Sequence, residues 1–233
     1  MLELNKIHLG DCYELIKQIP DKSIDLIITD PPYTKPTVTS FGRVAVKNIA
    51  DLSIQETYMK VIKKEIERVL KPSGSLFLFC DDGYYASIYR AYYDWHQLNL
   101  LVWDKGKIGM GKPFRRQHEL ILYANRGSIE ANKSEGVTHY PTIFRFQVEK
   151  DKIHEAQKPI KLIEYLVNGF SNENDIVLDL FSGSGTTAIA CKNLKRKFIS
   201  FELNEDYYKA SLERLDFVSK NGQTSIFTDF ESL

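Results

Sequence analysis

Short, almost wholly apolar runs alternate along this chain with longer stretches in which apolar positions recur at helical spacing. Runs of the first kind are typical of strands buried on both faces of a parallel sheet. The pattern predicts strands over residues 6–9, 25–29, 75–80, 98–103, 119–123, 176–178 and 198–201. It predicts helices over residues 12–18, 54–70, 83–94, 159–169 and 188–194, with a loop over 34–52 and an irregular stretch over 125–152. This alternation indicates a doubly wound, mostly parallel α/β sheet.

The strand predicted over residues 25–29 is followed by an unusual motif, Asp30-Pro31-Pro32-Tyr33. Its prolines remove backbone donors and stiffen the turn, which holds the flanking side chains at the carboxyl edge of the sheet, where open α/β folds bind ligands. The Asp30 carboxylate and the Pro31 carbonyl can accept the two hydrogens of an exocyclic amine while Tyr33 stacks on its ring. A plain turn also uses these residue types, and the position after a buried strand favours the functional interpretation.

A glycine-rich segment, residues 179–187, connects a later strand to a helix. Gly183 and Gly185 let the backbone approach a ligand closely, and the start of the helix can hold an anion. The next strand ends at Glu202, and an acid in that place typically binds a ribose diol. The segment therefore predicts a site for a nucleotide-like cofactor.

Three cofactor classes compete for this site. The phosphate-binding spacing Gly-x-x-x-x-Gly-Lys-[Ser/Thr] is absent, which argues against a P-loop nucleotide. The dinucleotide fingerprint wants a third glycine where Ala188 stands, although alanine is sometimes tolerated there. S-adenosylmethionine remains, because it has a ribose and a carboxylate that a helix start could bind.

The two motifs resemble the catalytic and cofactor motifs of the amino-group DNA methyltransferases. Because the catalytic motif comes first, the chain resembles their permuted, beta-type branch, which methylates adenine N6 or cytosine N4. Further segments match at Gly10-Asp11 and at residues 70–79, 103–106, 115–122 and 157–159, so the resemblance spans about residues 7–215. It implies a circularly permuted, Rossmann-like methyltransferase fold with a seven-stranded sheet, a reversed hairpin at one edge, and S-adenosylmethionine as cofactor.

The resemblance also implies roles for individual residues. The implied catalytic residues are Asp30, Pro31, Pro32 and Tyr33. The implied cofactor-binding residues are Asp11, Asp30, Lys158, Asp179, Phe181, Ser182, Gly183, Ser184, Gly185, Thr186 and Glu202.

Some of these positions have a second interpretation. Asp11 can cap the helix that follows it or accept the adenine amine of the cofactor, and both can hold together. A lysine at a helix start is usually solvated, whereas the resemblance places Lys158 near the methionine end of the cofactor. The family pattern His-Pro-Thr-Gln-Lys-Pro is broken by Glu155 and Ala156, which leaves the role of His154 open.

A basic, glycine-rich loop follows the strand that ends near Trp103. Its cations are not interrupted by any acid, so phosphate contact is favoured over a merely solvated loop. The expected DNA contacts are Lys105, Lys107, Lys112, Arg115 and Arg116, together with Arg43 and Lys47 in the loop over 34–52. Residues 124–152 are the candidate for a small target-recognition insertion.

Composition sets wider bounds. A chain of 233 residues suits one methyltransferase domain over residues 1–233. Lys plus Arg and Asp plus Glu both number 31, so a basic patch for DNA must be local. The three cysteines lack metal-ligand spacing and have apolar neighbours, which predicts buried thiols, a reducing cytoplasm and no metal. No signal peptide or membrane-spanning run is present, and homodimerisation stays open.

The sequence therefore predicts a methyltransferase that acts on adenine N6 in double-stranded DNA after flipping the base. Cytosine N4 is the nearest alternative, because the cytosine enzymes of the family more often have Ser in place of Asp30. Methylation of a protein glutamine, for which Asn is usual there, and an inactive cofactor-binding subunit are further alternatives.

Overall fold

Strands and helices alternate along the chain, as the apolar pattern predicts. The structure is a computed structural model that describes residues 2–32, 52–109, 113–127, 139–149 and 157–221. The strands are β1 (Lys6–Leu9), β2 (Ile24–Thr29), β3 (Leu70–Cys80), β4 (Gln97–Asp104), β5 (His118–Asn125), β6 (Ile143–Arg145), β7 (Ile176–Asp179) and β8 (Lys197–Glu202). The helices are α1 (Cys12–Ile16), α2 (Leu52–Val69), α3 (Asp82–Tyr92), α4 (Ile160–Phe170), α5 (Thr186–Asn193) and α6 (Glu205–Asn221).

These strands form one sheet in the order β1-β8-β7-β2-β3-β5-β4-β6. Every neighbouring pair is parallel except the two that involve β5, which runs antiparallel to both β3 and β4. The predicted mostly parallel sheet is thus confirmed, and the reversed β4–β5 hairpin lies towards one edge. The parallel run β1-β8-β7-β2-β3 brings the carboxyl ends of five strands to the same edge.

The predicted strand count was wrong, because the described chain forms an eight-stranded sheet. The additional strand is β6, which lies in the stretch predicted to be irregular and pairs parallel with β4 through Val102↔Ile143 and its neighbours. Phe144 is buried, whereas Ile143 and Arg145 on either side of it are exposed. Three alternating residues are too short a pattern to identify a strand from sequence.

The helix α6 was not predicted, although its start has a sequence signal. The Asn204 side chain accepts hydrogen bonds from the backbone N–H groups of Asp206 and Tyr207, at 2.9 and 3.0 Å. Asn before an acidic first turn is a typical helix start. Much of the surface of α6 is exposed. Its apolar positions are therefore too few to give a clear helical pattern in the sequence.

Two apolar cores cover the two faces of the sheet. On β2, Ile27 packs into the core that contains the buried faces of α1, α2 and α3. Leu26 and Ile28 point into the core that contains α4 and α5. Alternate residues of one strand are therefore buried on opposite faces, as expected for a doubly wound fold. All three cysteines are buried thiols, as predicted.

Candidate active site

The carboxyl edge of the sheet gathers the acids predicted for the site. Asp30 follows β2, Asp179 ends β7 and Glu202 ends β8. These strands are direct neighbours, with Ile27 paired to Leu178 in β7 and Asp179 paired to Ser200 in β8. Parallel pairing places the three carboxylates along one edge, where ligands bind in open α/β sheets.

Asp30 is paired with a buried lysine from a distant part of the chain. The Lys158 ammonium group contacts the Asp30 carboxylate and lies 3.1 Å from Glu119 Oε2. Its side chain is only 7% exposed, and its Nζ lies 5.0 Å from the centre of the Phe79 ring. Burial acts to lower the pKa of Lys158, but the carboxylates of Asp30 and Glu119 outweigh it and raise that pKa. Lys158 is therefore a fixed cation beside Asp30, not the solvated lysine of the alternative interpretation.

Glu119 extends this pairing into a chain of four charged groups. It lies at the start of β5, and its Oε1 is 2.6 Å from the ammonium nitrogen of Lys105. Burial acts to raise the pKa of Glu119, but the ammonium groups of Lys158 and Lys105 outweigh it and lower that pKa. Charges alternate along the order Asp30, Lys158, Glu119, Lys105, so each charge has an opposite neighbour. The sequence interpretation gave Glu119 no role, because its partners are remote in sequence.

The glycine-rich loop is tied to the end of β8. Glu202 Oε2 accepts a hydrogen bond of 2.8 Å from the backbone N–H of Gly183, and Oε1 accepts one of 2.9 Å from Asn204. Burial raises the pKa of Glu202, against the lowering effect of these backbone donors. Glu202 is therefore part of the loop structure and not a solvated acid at a strand end.

The two glycines of the loop meet different surroundings. Both have left-handed backbones, with φ of 51° at Gly183 and 75° at Gly185. A Cβ at Gly185 would lie 3.2 Å from the Cβ of Ser211 in α6, whereas a Cβ at Gly183 would meet no atom of the described residues within 4 Å. Gly185 is thus needed for packing against α6, and Gly183 borders open space.

Other loop side chains are bonded within the protein. Arg214 from α6 donates to the Ser184 carbonyl at 3.0 Å and to Thr186 Oγ1 at 2.9 Å, and it pairs with Glu149 at 3.1 Å. By contrast, the buried hydroxyl of Ser182 has no hydrogen-bond partner among the described residues. A buried polar group without a protein partner indicates a place for a ligand or water.

Asp179 is the most perturbed acid of the site. Burial raises its pKa to about 7, against the lowering effects of hydrogen bonds from Thr187 and from the Phe181 backbone N–H. That N–H lies 3.1 Å from Asp179 Oδ1. A buried carboxyl with a raised pKa in a ligand-binding edge is typical of functional sites.

Asp11 follows β1 and caps α1. Its side chain accepts a hydrogen bond of 2.8 Å from the Tyr13 backbone N–H. The capping interpretation is confirmed, and the contact with a cofactor adenine stays a prediction.

The basic loop contains cations with different surroundings. Lys107 is exposed, and Arg115 donates from Nε to the Gly109 carbonyl at 2.7 Å. Arg116 lies 2.5 Å from Asp82 and 3.7 Å from Asp81, so acids from the start of α3 balance it. Sequence reasoning missed these acids because they belong to another element. Tyr33, Arg43, Lys47, Lys112, His154, Glu155 and Ala156 lie outside the described residues.

Comparison with known proteins places this geometry in a family. The family model for N6/N4 DNA methylases matches residues 24–213. The chain belongs to the N6/N4 DNA methylase family. It is accordingly an S-adenosylmethionine-dependent DNA amino-methyltransferase. The predicted enzyme class, the predicted cofactor and DNA as the substrate are thus confirmed.

Individual relatives agree with this assignment. The chain is 29% identical to the type II methyltransferase M.HinfI of Haemophilus influenzae, over 94% of this chain and 70% of the relative. It is 31% identical to the type II methyltransferase M.BglII of Bacillus subtilis, over 88% of this chain and 67% of the relative.

Solved methylase structures share the fold. The cytosine-N4-specific PvuII DNA methyltransferase superimposes with a TM-score of 0.73, covering 95% of each chain at 19% identity. The M1.HpyAVI–SAM complex superimposes with a TM-score of 0.65 and 25% identity, covering 90% of this chain and 98% of that chain.

The residues of this methylase fit S-adenosylmethionine. Open space borders Gly183, the Ser182 hydroxyl lacks a partner among the described residues, and the Glu202 carboxylate is fixed beside both. In the described part of the chain, no group of His, Cys, Asp and Glu residues could hold a metal ion, and no helix is long and apolar enough to cross a membrane.

Proposed function

We propose that this methylase transfers the methyl group to N6 of adenine in double-stranded DNA. The observation that carries the proposal is the position of Asp30, which lies at the carboxyl end of a central strand and beside the glycine-rich loop. Within the family, Asp at this position favours adenine, since the cytosine-N4 enzymes more often have Ser there.

The residues of the catalytic motif would orient the amine. A carboxylate accepts several hydrogen bonds, so Lys158 at Asp30 Oδ2 still permits an amine donor at the same carboxylate. The Pro31 carbonyl would accept the second amine hydrogen, and Tyr33, which lies outside the described residues, would stack on the flipped base. Together these contacts favour a pyramidal amine nitrogen with its lone pair directed outward, so that catalysis depends on positioning and electrostatics.

The glycine-rich loop and its neighbours would hold the cofactor. S-adenosylmethionine supplies a methyl group on a sulfonium ion, which is an electrophile. Glu202 would accept the ribose hydroxyls, Ser182 and Gly183 would face the cofactor, and Asp11 would accept the adenine amine. The remaining residues assigned to the cofactor site are Asp30, Lys158, Asp179, Phe181, Ser184, Gly185 and Thr186.

Cytosine N4 is the second candidate. The PvuII methyltransferase, whose fold the chain shares, is cytosine-N4-specific. At 19% identity this likeness concerns the fold and does not define the base.

The product identifies the base directly. DNA is incubated with the purified protein and S-adenosylmethionine, digested to nucleosides and analysed by mass spectrometry. N6-methyladenine is the expected product, and N4-methylcytosine alone would replace adenine by cytosine in the proposal. Absence of both products in a protein that binds the cofactor would indicate an inactive subunit or another substrate.

Asp30→Ala is the matched variant for this experiment. It should lower turnover by about a hundredfold or more, because one hydrogen bond to the reacting group is lost in the transition state. Cofactor affinity, measured by calorimetry, should change much less than turnover, because Asp30 is not expected to be a main anchor of the cofactor. Turnover within tenfold of wild type would contradict the catalytic assignment of Asp30.

A further inference from the structure

The described residues of the basic loop between β4 and β5 lie in two segments that are hydrogen-bonded to each other. We call its described residues, 105–109 and 113–117, the arm. The Lys105 backbone N–H donates to the Gln117 carbonyl at 3.0 Å, and that of Gly109 donates to the Arg116 carbonyl at 2.8 Å. A Cβ at Gly109 would lie 2.5 Å from the Arg116 oxygen, so the two sides of the arm are in close contact. The arm therefore continues the β4–β5 hairpin beyond the sheet.

The base of the arm is connected to Asp30 through ion pairs. Lys105 contacts Glu119, which contacts Lys158, and Lys158 contacts Asp30. On the other side, Arg116 pairs with Asp82 at the start of α3. The arm is thus connected at its base to the Asp30 carboxylate and, through Arg116, to the start of α3.

The outer part of the arm carries an apolar group among cations. Phe114 is 90% exposed, which is the largest value among the large hydrophobic residues of the described chain, and Ile108 is 60% exposed. Lys107 and Arg115 on the same arm are also exposed. If Phe114 contacted another protein, apolar residues would be expected around it. An aromatic ring flanked by cations instead suits DNA, in which stacked bases are bordered by phosphates.

We propose that Phe114 inserts into the DNA duplex and occupies the space left by the base that is turned out towards Asp30. The inference rests on the proposed function, in which that base leaves the stack. Turning a base out has a cost in lost stacking and pairing. Apolar side chains can enter a duplex between base steps, and an aromatic ring that stacks on the neighbouring bases offsets part of that cost.

Activity on paired and unpaired target bases tests this role. The target is the site at which wild type is found to methylate DNA, presented in a normal duplex and in a duplex with an abasic position opposite the target. Phe114→Ala should methylate the normal duplex at least about tenfold more slowly. The defect should shrink to less than about threefold with the abasic duplex, because the target base then has no base pair to lose and leaves the stack at a lower cost. Phe114→Trp should retain activity on both duplexes.

Tyr93→Ala is the matched control, because Tyr93 is an aromatic residue that is 72% exposed and follows the far end of α3. It should behave as wild type on both duplexes. Equal losses for Phe114→Ala on the two duplexes would overturn the insertion role, as would no loss on either. A wild-type dimer that Phe114→Ala converts to a monomer in sedimentation would assign Phe114 to self-association and also overturn it.

A binding measurement separates this inference from the proposed function. Wild type should bind a duplex in which one base is replaced by an abasic site more tightly than an intact duplex, because Phe114 can enter the space of the missing base. Phe114→Ala should lose most of that preference. This readout needs no methyl transfer. If wild type methylated no base but kept a preference for the abasic site that depends on Phe114, the proposed function would fail and the insertion role would stand.

Discussion

At the scale of single residues, the catalytic edge depends on one buried cation. The Lys158 side chain is buried and faces two carboxylates, those of Asp30 and Glu119. Removing one member of a buried ionic set leaves the others uncompensated. Lys158 therefore orients the proposed catalytic carboxylate of Asp30 and offsets the cost of partly burying that charge.

Lys158→Met should lower the free energy of unfolding by about 3 kcal/mol, the lower end of the loss expected for a broken buried pair, since the carboxylates are partly exposed. Glu119→Gln alone should cost less, because Lys158 keeps Asp30 as its partner. The double variant should be more stable than the sum of the single losses predicts, because each single variant loses the Lys158–Glu119 interaction and the double variant loses it only once. Urea unfolding of the four proteins gives this coupling energy, and strict additivity would contradict the shared network.

Asp179 links the site to pH. Its pKa rises from 3.8 to about 7 on folding because the carboxyl is buried. The folded chain therefore keeps the proton between pH about 4 and about 7, and the stability associated with it is lost as pH rises through this window.

Asp179→Asn removes that dependence. As pH rises from about 4 to about 7, the Asn variant should gain stability relative to wild type. The gain should be about 1.4 kcal/mol for each unit by which folding raises the pKa of Asp179. The gain should be complete slightly above pH 7. Urea unfolding of both proteins across this range measures it, and parallel stability curves would show that Asp179 ionises normally.

At the scale of elements, the connection from β7 to α5 has two glycines with separate tasks. Gly185 is the residue before α5 and lies against Ser211 of α6, whereas Gly183 faces open space beside Glu202. Sequence spacing treats the two positions alike, but the packing of α6 distinguishes them.

Gly183→Val should weaken S-adenosylmethionine binding more than it affects stability, because the new side chain enters the open space. Gly185→Val should chiefly destabilise the fold, because the side chain meets α6. Each variant also carries strain of about 1–2 kcal/mol from its left-handed backbone, so the pair is internally matched. Calorimetry for affinity and urea unfolding for stability separate the effects; the reverse order would place the cofactor against Gly185.

At the scale of the whole molecule, DNA affinity has to come from local charge. The chain has 31 basic and 31 acidic residues, so its net field does not attract DNA. The sheet places the proposed catalytic acid Asp30, the glycine-rich loop and the arm at one edge. Arg115 is exposed there, whereas Arg116 is paired with Asp82.

Arg115→Ala should therefore lower the slope of log affinity against log salt concentration by about one, the effect of losing one phosphate contact. Arg116→Ala should change the slope little, because its charge is already matched within the protein. A fluorescence binding series over salt, on the preferred site and on single-base variants, measures both. A relaxed base preference with an unchanged slope for Arg115→Ala would mean that this residue reads a base edge.

The sequence by itself determined the order of most elements, the parallel core and the edge on which the site lies. Apolar periodicity is local, and the carboxyl ends of parallel strands meet at one edge whatever the loops do. Asp30, Asp179 and Glu202 could therefore be placed together from their strand-end positions. The strand β6 and the helix α6 were not predicted, because the apolar pattern of β6 is too short and that of α6 is too weak.

The tertiary structure alone decided which side chains pair at that edge. Lys158 and Asp30 are 128 positions apart, and Arg116 and Asp82 are 34 apart, so no local pattern could connect them. It also decided that Gly183, not Gly185, borders open space, because that depends on where α6 packs. Local periodicity specifies elements and their exposed faces, whereas contacts between the ends of different elements exist only once the sheet has brought those ends together.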